Sequence, residues 1–322
     1  MPHPDEPPPP ARVPSGLSLW RIGLRRLRLN RAALAALVFL GLLAAMALAA
    51  PLIAPCRFDK QFRGAEATAP FERVVLPASP EREAVNHFFF LGSDHHARDT
   101  WARIVYGARV SLVVGFLATF ISLVLGVSSG LVSGYFGGWP DALLMRLTDT
   151  VFAFPSVLLA VAITAVADRP SLWVVFLALG MVGWTSLARV VRAQVLSLKS
   201  LDYLVAARAL GTGHLRVILR HILPNCLGPI TVVATLSVGG NLLGEAGLSF
   251  LGLGVQEPYP SWGQMLSEAA EHYTESWWLG VFPGLAIVLT VLSFNLLGDG
   301  LRDALDPRTD LGPMVAGAKA GR

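Results

Sequence analysis

Between Arg109 and Asp141 the chain passes through 31 consecutive residues without an Asp, Glu, Lys or Arg. An α-helix needs about 20 apolar residues to cross roughly 30 Å of hydrocarbon. A helix apolar on every side for this length would find too little protein to pack against in a soluble fold. The run therefore predicts a membrane span. Composition agrees: 53% of the 322 residues are hydrophobic and 15% charged, against about 25% charged in soluble domains. The formal net charge of +4 is small and dispersed. That argues against nucleic acid as a partner and leaves membrane topology as the use of the basic residues.

Similar apolar runs recur along the chain, and they predict an all-α integral membrane fold with six spans at about 32–54, 110–134, 143–166, 171–191, 227–250 and 277–298. Residues 1–19, rich in proline, read as a disordered tail, 20–309 as the membrane domain and 310–322 as a second tail. The first run has a cleavage-like Ala47-Leu48-Ala49, but it is longer than a signal peptide's apolar core and starts deep in the chain, so it reads as a retained helix. Residues 56–108 read as a long extramembrane loop, and Asp168-Arg169-Pro170 as a short turn between spans three and four.

Lys and Arg in short loops set orientation. Segment 189–226 carries Arg189, Arg192, Lys199, Arg208, Arg216 and Arg220 against Asp202 alone, whereas 254–276 carries none and has Glu257, Glu268, Glu271 and Glu275. Placing the first segment in the cytoplasm puts both termini there as well. Cys56 and Cys226 then fall on opposite faces, which excludes a disulfide between them.

Residues 200–224 read as two short helices with a sharp break. Ser200 is the expected N-cap, with Asp202 in the first turn, and Leu201, Leu204 and Val205 form an apolar face. Gly211 falls where a left-handed C-cap is expected. Leu215, Ile218, Leu219 and Ile222 recur at helical spacing, and Pro224 is expected to end the second helix. Periodicity alone fits an amphipathic hairpin on lipid as well as a protein-docking element.

The spacing Ala206-Ala207, Gly211, Leu223-Pro224 resembles the cytoplasmic EAA motif of ABC-importer permeases, with Val205 where the motif carries a glutamate. Leu91-Gly-Ser-Asp94, Arg98-Asp99, Ala102-Arg103 and the stretch from Tyr106 to Leu112 resemble the segment before span two in dipeptide and oligopeptide permeases, with Ala97 in place of a usual glycine. The stretch from Glu245 to Gly254, Pro260-Ser-Trp-Gly263, Phe282-Pro-Gly284, the stretch from Phe294 to Asp303 and Asp306-Pro307 are similar to the same group. The resemblance implies a type I ABC-importer fold in which 200–224 is the coupling hairpin, with Val205, Ala206, Ala207, Gly211, Leu223 and Pro224 facing an ATPase. It implies half of a pore, completed by a second homologous permease. Two ATP-binding subunits and a periplasmic binding protein would serve that pore in a bacterial inner membrane. The cargo would be peptides; nickel, glutathione or another small solute is the alternative, and a self-contained channel or secondary transporter a more distant one.

Span five carries Gly240 and Gly244, spaced for close helix packing, and Glu245, an ionisable group that must face protein or water. Asn241, one turn away, is the expected hydrogen-bond partner of Glu245, and the pair lines or braces the translocation path. Arg146 and Asp149 are expected to pair with each other, and Pro155 to kink span three. His87, His95 and His96 near Asp94 and Asp99 read as solvated loop histidines rather than as a metal site. There is no G-x-x-x-x-G-K-[ST] loop, so ATP and Mg²⁺ would be bound by the partner ATPases, with no cofactor on this chain and no enzymatic activity of its own.

Overall fold

The computed structural model describes residues 23, 26–79, 83–167, 171–272 and 274–305. The segments 1–19, 168–170 and 310–322 and the Asp306-Pro307 pair lie outside the described residues.

Helix α1 (Arg31–Leu48) starts at Asn30, whose side chain accepts the Ala33 N–H at 3.1 Å. The first apolar run does not stay one helix to residue 54. It bends at Ala49 and resumes as the short α2 (Ala50–Ile53), with Pro51 in the first turn, where a missing N–H costs nothing. Arg109 closes the exposed end of α1, donating from Nε and Nη2 to the carbonyls of Ala47 and Leu48, at 3.0 Å each.

The long loop contains strands β1 (Glu72–Leu76) and β2 (Val85–Phe89), paired antiparallel with Glu72 opposite Phe89. The helical fold thus carries a β-hairpin that its sequence reading missed. Phe89 and Val85 join Phe62 and Ala65 in a small core of its own beneath this hairpin.

Helix α3 (Thr100–Phe136) begins ten residues before the predicted 110. Asp99 caps it, accepting the Ala102 N–H at 2.8 Å, and the charged first turns are held by protein outside the apolar run. Helices α4 (Gly138–Ala153) and α5 (Ser156–Ala165) meet at 90°. Instead of a kink, Pro155 makes a break: Phe154 and Pro155 are both extended, with ψ 139° and 123°. The residue before a proline is pushed out of the helical region, and proline has no N–H to continue the ladder.

Helix α6 (Leu172–Leu198) returns to the same face as the end of α3. It leads through α7 (Asp202–Ala209) and α8 (His214–Val217) into a π turn at Ile218–Ile222 and α9 (Leu223–Phe250). Helices α10 (Trp262–Ala270) and α11 (Trp278–Leu305) complete the chain's described part. Among the described residues five helices are long and apolar enough to cross a bilayer, six when the bent α4–α5 pair counts as one. Two ends result: a cap, built from 56–99 and 251–277, and the hairpin end, built from 199–222.

The tightest packing joins α3 to α6. Gly126, Gly130 and Gly134 repeat every four residues, so they lie along one face of α3. A Cβ at Gly126 would stand 2.7 Å from the Trp184 carbonyl oxygen, at Gly130 2.6 Å from that of Ala188, and at Gly134 2.7 Å from Val195 Cβ. Such a stripe lets two backbones approach where hydrophobicity gives no drive to associate. Polar ties join the helices at the hairpin end: Arg192 grips Asp141 with Nε and Nη2 at 2.6 and 2.7 Å, and Lys199 donates to the Gly134 carbonyl at 3.0 Å. Asp149 pairs at 2.7 Å with Arg189 across the fold, not with Arg146 as its spacing suggested. Arg189 also lies over the Phe152 ring, 4.2 Å from its centroid, which gives it two reasons to face α4.

Candidate functional site: hairpin, buried glutamate and cap

At the hairpin, Gly211 adopts φ +78°. Its N–H donates to the Arg208 carbonyl at 3.0 Å and that of Thr212 to Ala207 at 3.2 Å, so the last carbonyls of α7 are satisfied as in a glycine C-cap. Leu201, not Ser200, occupies the N-cap, without a side-chain bond; Ser200 Oγ instead donates back to Ser197 O at 3.2 Å. Pro224 does not end the second helix. It sits in the first turn of α9, and the π turn ahead of it absorbs the missing donor, so the chain runs helically from His214 to Phe250.

Burial divides the hairpin into an anchor and a crest. Leu204, Val217, Ile218 and Ile222 are buried with Leu131 of α3 and Leu187, Val191 and Val195 of α6, and Leu223 packs against this cluster. Leu201, Val205, Leu215 and Leu219, expected on the apolar face, point outward, as does Leu210, 87% exposed. Ala206 and Pro224 are exposed as well and Ala207 is half-buried. Val217 takes the inward place instead. Tyr135 Oη and His214 Nδ1, 2.9 Å apart, tie the crest to the end of α3.

Glu245 is 1% exposed. Its carboxylate accepts from Ser249 Oγ at 2.7 Å and from Ser111 Oγ of α3 at 3.4 Å. Ser111 Oγ in turn accepts the Trp262 N–H at 3.3 Å, so one carboxylate links α3, α9 and α10. Asn241 does not bond Glu245, contrary to expectation; its Nδ2 donates to Thr119 Oγ1 at 3.0 Å. It lines a cleft of about 290 Å³ together with Gly240, Gly244, Gly183 and Leu179. Gly244 packs there, since a Cβ would lie 2.9 Å from Leu179 Cδ2. A Cβ at Gly240 meets nothing within 4 Å. The close approach expected of Gly240 is therefore not made within this chain; its neighbour Gly239 packs on Phe294 instead.

The cap is fastened by three buried ions, Asp94, Arg98 and Arg103, and the more exposed Glu257 and Glu268 that they hold. Asp94 Oδ2 takes Arg98 Nε at 2.6 Å and also Arg103 Nη1; Arg98 reaches Glu257 at 2.7 Å, and Arg103 holds Glu268 with Nη1 at 2.6 Å and Nη2 at 2.9 Å. Burial works to raise the Asp94 carboxyl, but Arg103 and Arg98 outweigh it and hold it below the ordinary carboxylate range. The Arg98 bond likewise holds Glu257 low. Trp262, fully buried, donates its Nε1–H to the Ile104 carbonyl at 3.0 Å, and Trp278 donates to that of Ser93 at 3.2 Å. The motifs before span two and before span six are thus two halves of one fastening.

The loop histidines are not equivalent. Only His96 is exposed. His95 stacks on His272 with ring centroids 3.5 Å apart; burial and then His272 hold its pKa below the ordinary value. His87 Nε2 lies 2.8 Å from Asp99 Oδ2, and Cys56 Sγ joins them in a group whose ligand atoms all lie within 4.8 Å of one another. Burial pushes the Cys56 thiol up to about 12. Sequence reasoning weighed the histidines without this cysteine, since positions 56 and 87 sit in separate segments.

Five crossings and a broken sixth, a buried glutamate between them and an apolar crest at one end define the membrane-embedded half of a transport machine. A family model for the inner membrane component of binding-protein-dependent transport systems matches residues 105–311, and one for the N-terminal membrane domain of oligopeptide transport permease C matches 18–70. The chain belongs to this family of binding-protein-dependent inner membrane permeases: it is a transporter subunit and not an enzyme. The dipeptide transport system permease protein DppC of Alkalihalophilus pseudofirmus is 41% identical over 95% of both chains. The oligopeptide permease protein OppC of Haemophilus influenzae is 39% identical over 91% of this chain and 90% of its own, and the glutathione permease protein GsiD of Pectobacterium atrosepticum 39% over 90% and 91%. The fold is that of an ABC-importer permease. An inward-facing MetNI methionine ABC transporter chain superposes with TM-score 0.53 over 64% of this chain and 97% of that one, at 18% identity. A permease of this fold works with other subunits of an ABC transporter.

Proposed function

We propose that this chain is one of two homologous permeases forming a peptide-importing pore, driven by two ATP-binding subunits that dock on the hairpin crest. The observation that carries the reading is the division of residues 201–223 into anchor and crest. Leu210, Leu215, Val205 and Leu219 are exposed among the described residues, while Leu204, Val217 and Ile222 are packed with α3 and α6. A force applied to the crest is therefore delivered to two membrane helices. Val205, Ala206, Ala207, Gly211, Leu223 and Pro224 form or flank that contact. The basic residues around the hairpin and at the chain's start support a topology with both termini on the ATPase side.

Peptides as cargo, delivered by a periplasmic binding protein, rest on the dipeptide and oligopeptide names of most of the relatives; glutathione, named for one of them, is the second reading. ATP and Mg²⁺ belong to the partner subunits. Glu245 acts as a brace between α3, α9 and α10, and Asn241, Gly240 and Gly244 face the cleft beside it.

Gly211→Glu tests the coupling role. Any L-residue at φ +78° costs about 1–2 kcal/mol, and the new charge sits beside Leu210 on the apolar crest. Labelled dipeptide uptake should fall by about tenfold or more with membrane insertion intact. Unchanged uptake at normal expression would refute the coupling role.

A further inference from the structure

Three donor side chains of different chemistry converge in the cap from three separate segments. Cys56 follows α2, His87 lies on β2, and Asp99 is the N-cap of α3. One ligand atom from each lies within 4.8 Å of the other two. We propose that Cys56, His87 and Asp99 bind a thiophilic divalent cation, zinc above all, which staples the exit of the first span to the cap hairpin and to the start of α3.

The geometry is near what such an ion requires. With Zn–S about 2.3 Å and Zn–N or Zn–O about 2.0–2.2 Å, tetrahedral ligand atoms lie roughly 3.3–3.6 Å apart. The His87–Asp99 edge, at 2.8 Å, must open by about half an ångström, and no edge of the group, all within 4.8 Å, must close by more than about one. Both are within reach of side-chain rotation alone. The surroundings hold two of the ligands as outer partners of a metal site do. Asp99 Oδ1 is occupied by the Ala102 N–H at 2.8 Å, which turns Oδ2 toward His87. The His87 ring lies on Phe62, with centroids 4.2 Å apart and planes 19° apart, and meets Phe89 edge-on; both phenylalanines are buried.

Donor chemistry selects the metal. A thiolate beside an imidazole and one carboxylate disfavours Mg²⁺ and Ca²⁺, which take oxygen ligands, and suits Zn²⁺ or Co²⁺. Cys56 loses its proton to solvent as the metal binds. Three protein ligands leave one position for water, and Cys56 and His87 are half-buried, so the ion has a way in. Cys56 has no competing use as a disulfide, because the sequence holds one other cysteine, Cys226, buried in the core under the hairpin.

The probe is Co²⁺, added to the full chain in nanodiscs, purified without a polyhistidine tag and with a non-thiol reductant. The wild type should show one equivalent of Co²⁺ with a near-ultraviolet thiolate charge-transfer band that Zn²⁺ abolishes, and Zn²⁺ should raise its melting temperature. Cys56→Ala should lose the band and the melting shift, His87→Gln should weaken binding by about 100-fold or more, and Cys226→Ala should retain both. No band in the wild type, or one that survives Cys56→Ala, overturns the proposal. If Cys56→Ala does not fold, Cys56→Ser and the wild type's own Zn²⁺-dependent melting decide in the same way.

Discussion

Replacing Gly130 by alanine adds one methyl group where the backbones of α3 and α6 approach each other. Its Cβ would stand 2.6 Å from the Ala188 carbonyl oxygen and 2.7 Å from Val191 Cβ, where ordinary contact begins at 3.4 Å. Helices α3 and α6 must part by close to an ångström, because a backbone carbonyl cannot rotate away. Overpacking of this kind costs about 1–3 kcal/mol, while glycine to alanine inside a helix returns about 0.5–1 kcal/mol. The net loss is about 0–2.5 kcal/mol, centred a little above 1. Gly240→Ala is the matched control: nothing lies within 4 Å of its Cβ, so only the gain of about 0.5–1 kcal/mol remains. Thermal unfolding of the two variants in nanodiscs should therefore move in opposite directions. A Gly130 variant as stable as the wild type, with the Gly240 variant destabilised, would refute the packing argument.

Ala97 sits at φ +56°, in the left-handed region that glycine alone adopts without strain, so Ala97→Gly should stabilise the cap by about 0.5–1 kcal/mol, read as slower cap proteolysis. Arg103→Ala leaves Arg98 as the one cation bonded to both Asp94 and Glu268 and should cost up to about 3 kcal/mol, the low end for breaking a buried pair, measured by unfolding; Arg103→Met combined with Asp94→Asn and Glu268→Gln should recover part of that. Acidification should also loosen the cap. The folded state holds His95 below its ordinary pKa, so the unfolded chain binds more protons there. The His95 contribution is therefore intact above about pH 6.5 and lost as pH falls through and below it. His95→Gln should flatten that part of a stability-versus-pH curve. Asp94, held low by Arg103 and Arg98 despite its burial, adds a further loss only near and below about pH 4.

What was legible in the sequence was local. The uncharged run after Arg109, a disturbance of the helix at Pro155 (a kink by its sequence, a 90° break in the fold) and the left-handed turn at Gly211 each depend on residues within a few positions of one another. Partnerships across the fold were not legible. Asp149 had Arg146 three residues away but pairs with Arg189, and Glu245 had Asn241 one turn away but meets Ser111, 134 positions distant. The glycine stripe of α3 could have been read from its four-residue repeat at 126, 130 and 134. Cys56, His87 and Asp99 lie in separate segments of the sequence, so the group they form has no sequence signal and exists only once β1 and β2 are folded.

The crest around Leu210 is the proposed ATPase contact. A photo-cross-linking amino acid placed at Leu210 and, separately, at Tyr259 on the cap tests it directly in membranes containing the assembled transporter. Position 210 should cross-link to the ATP-binding subunit in a way that changes with bound nucleotide, and position 259 should give no link to that subunit. A link to the ATP-binding subunit from 259, with none from 210, would contradict it.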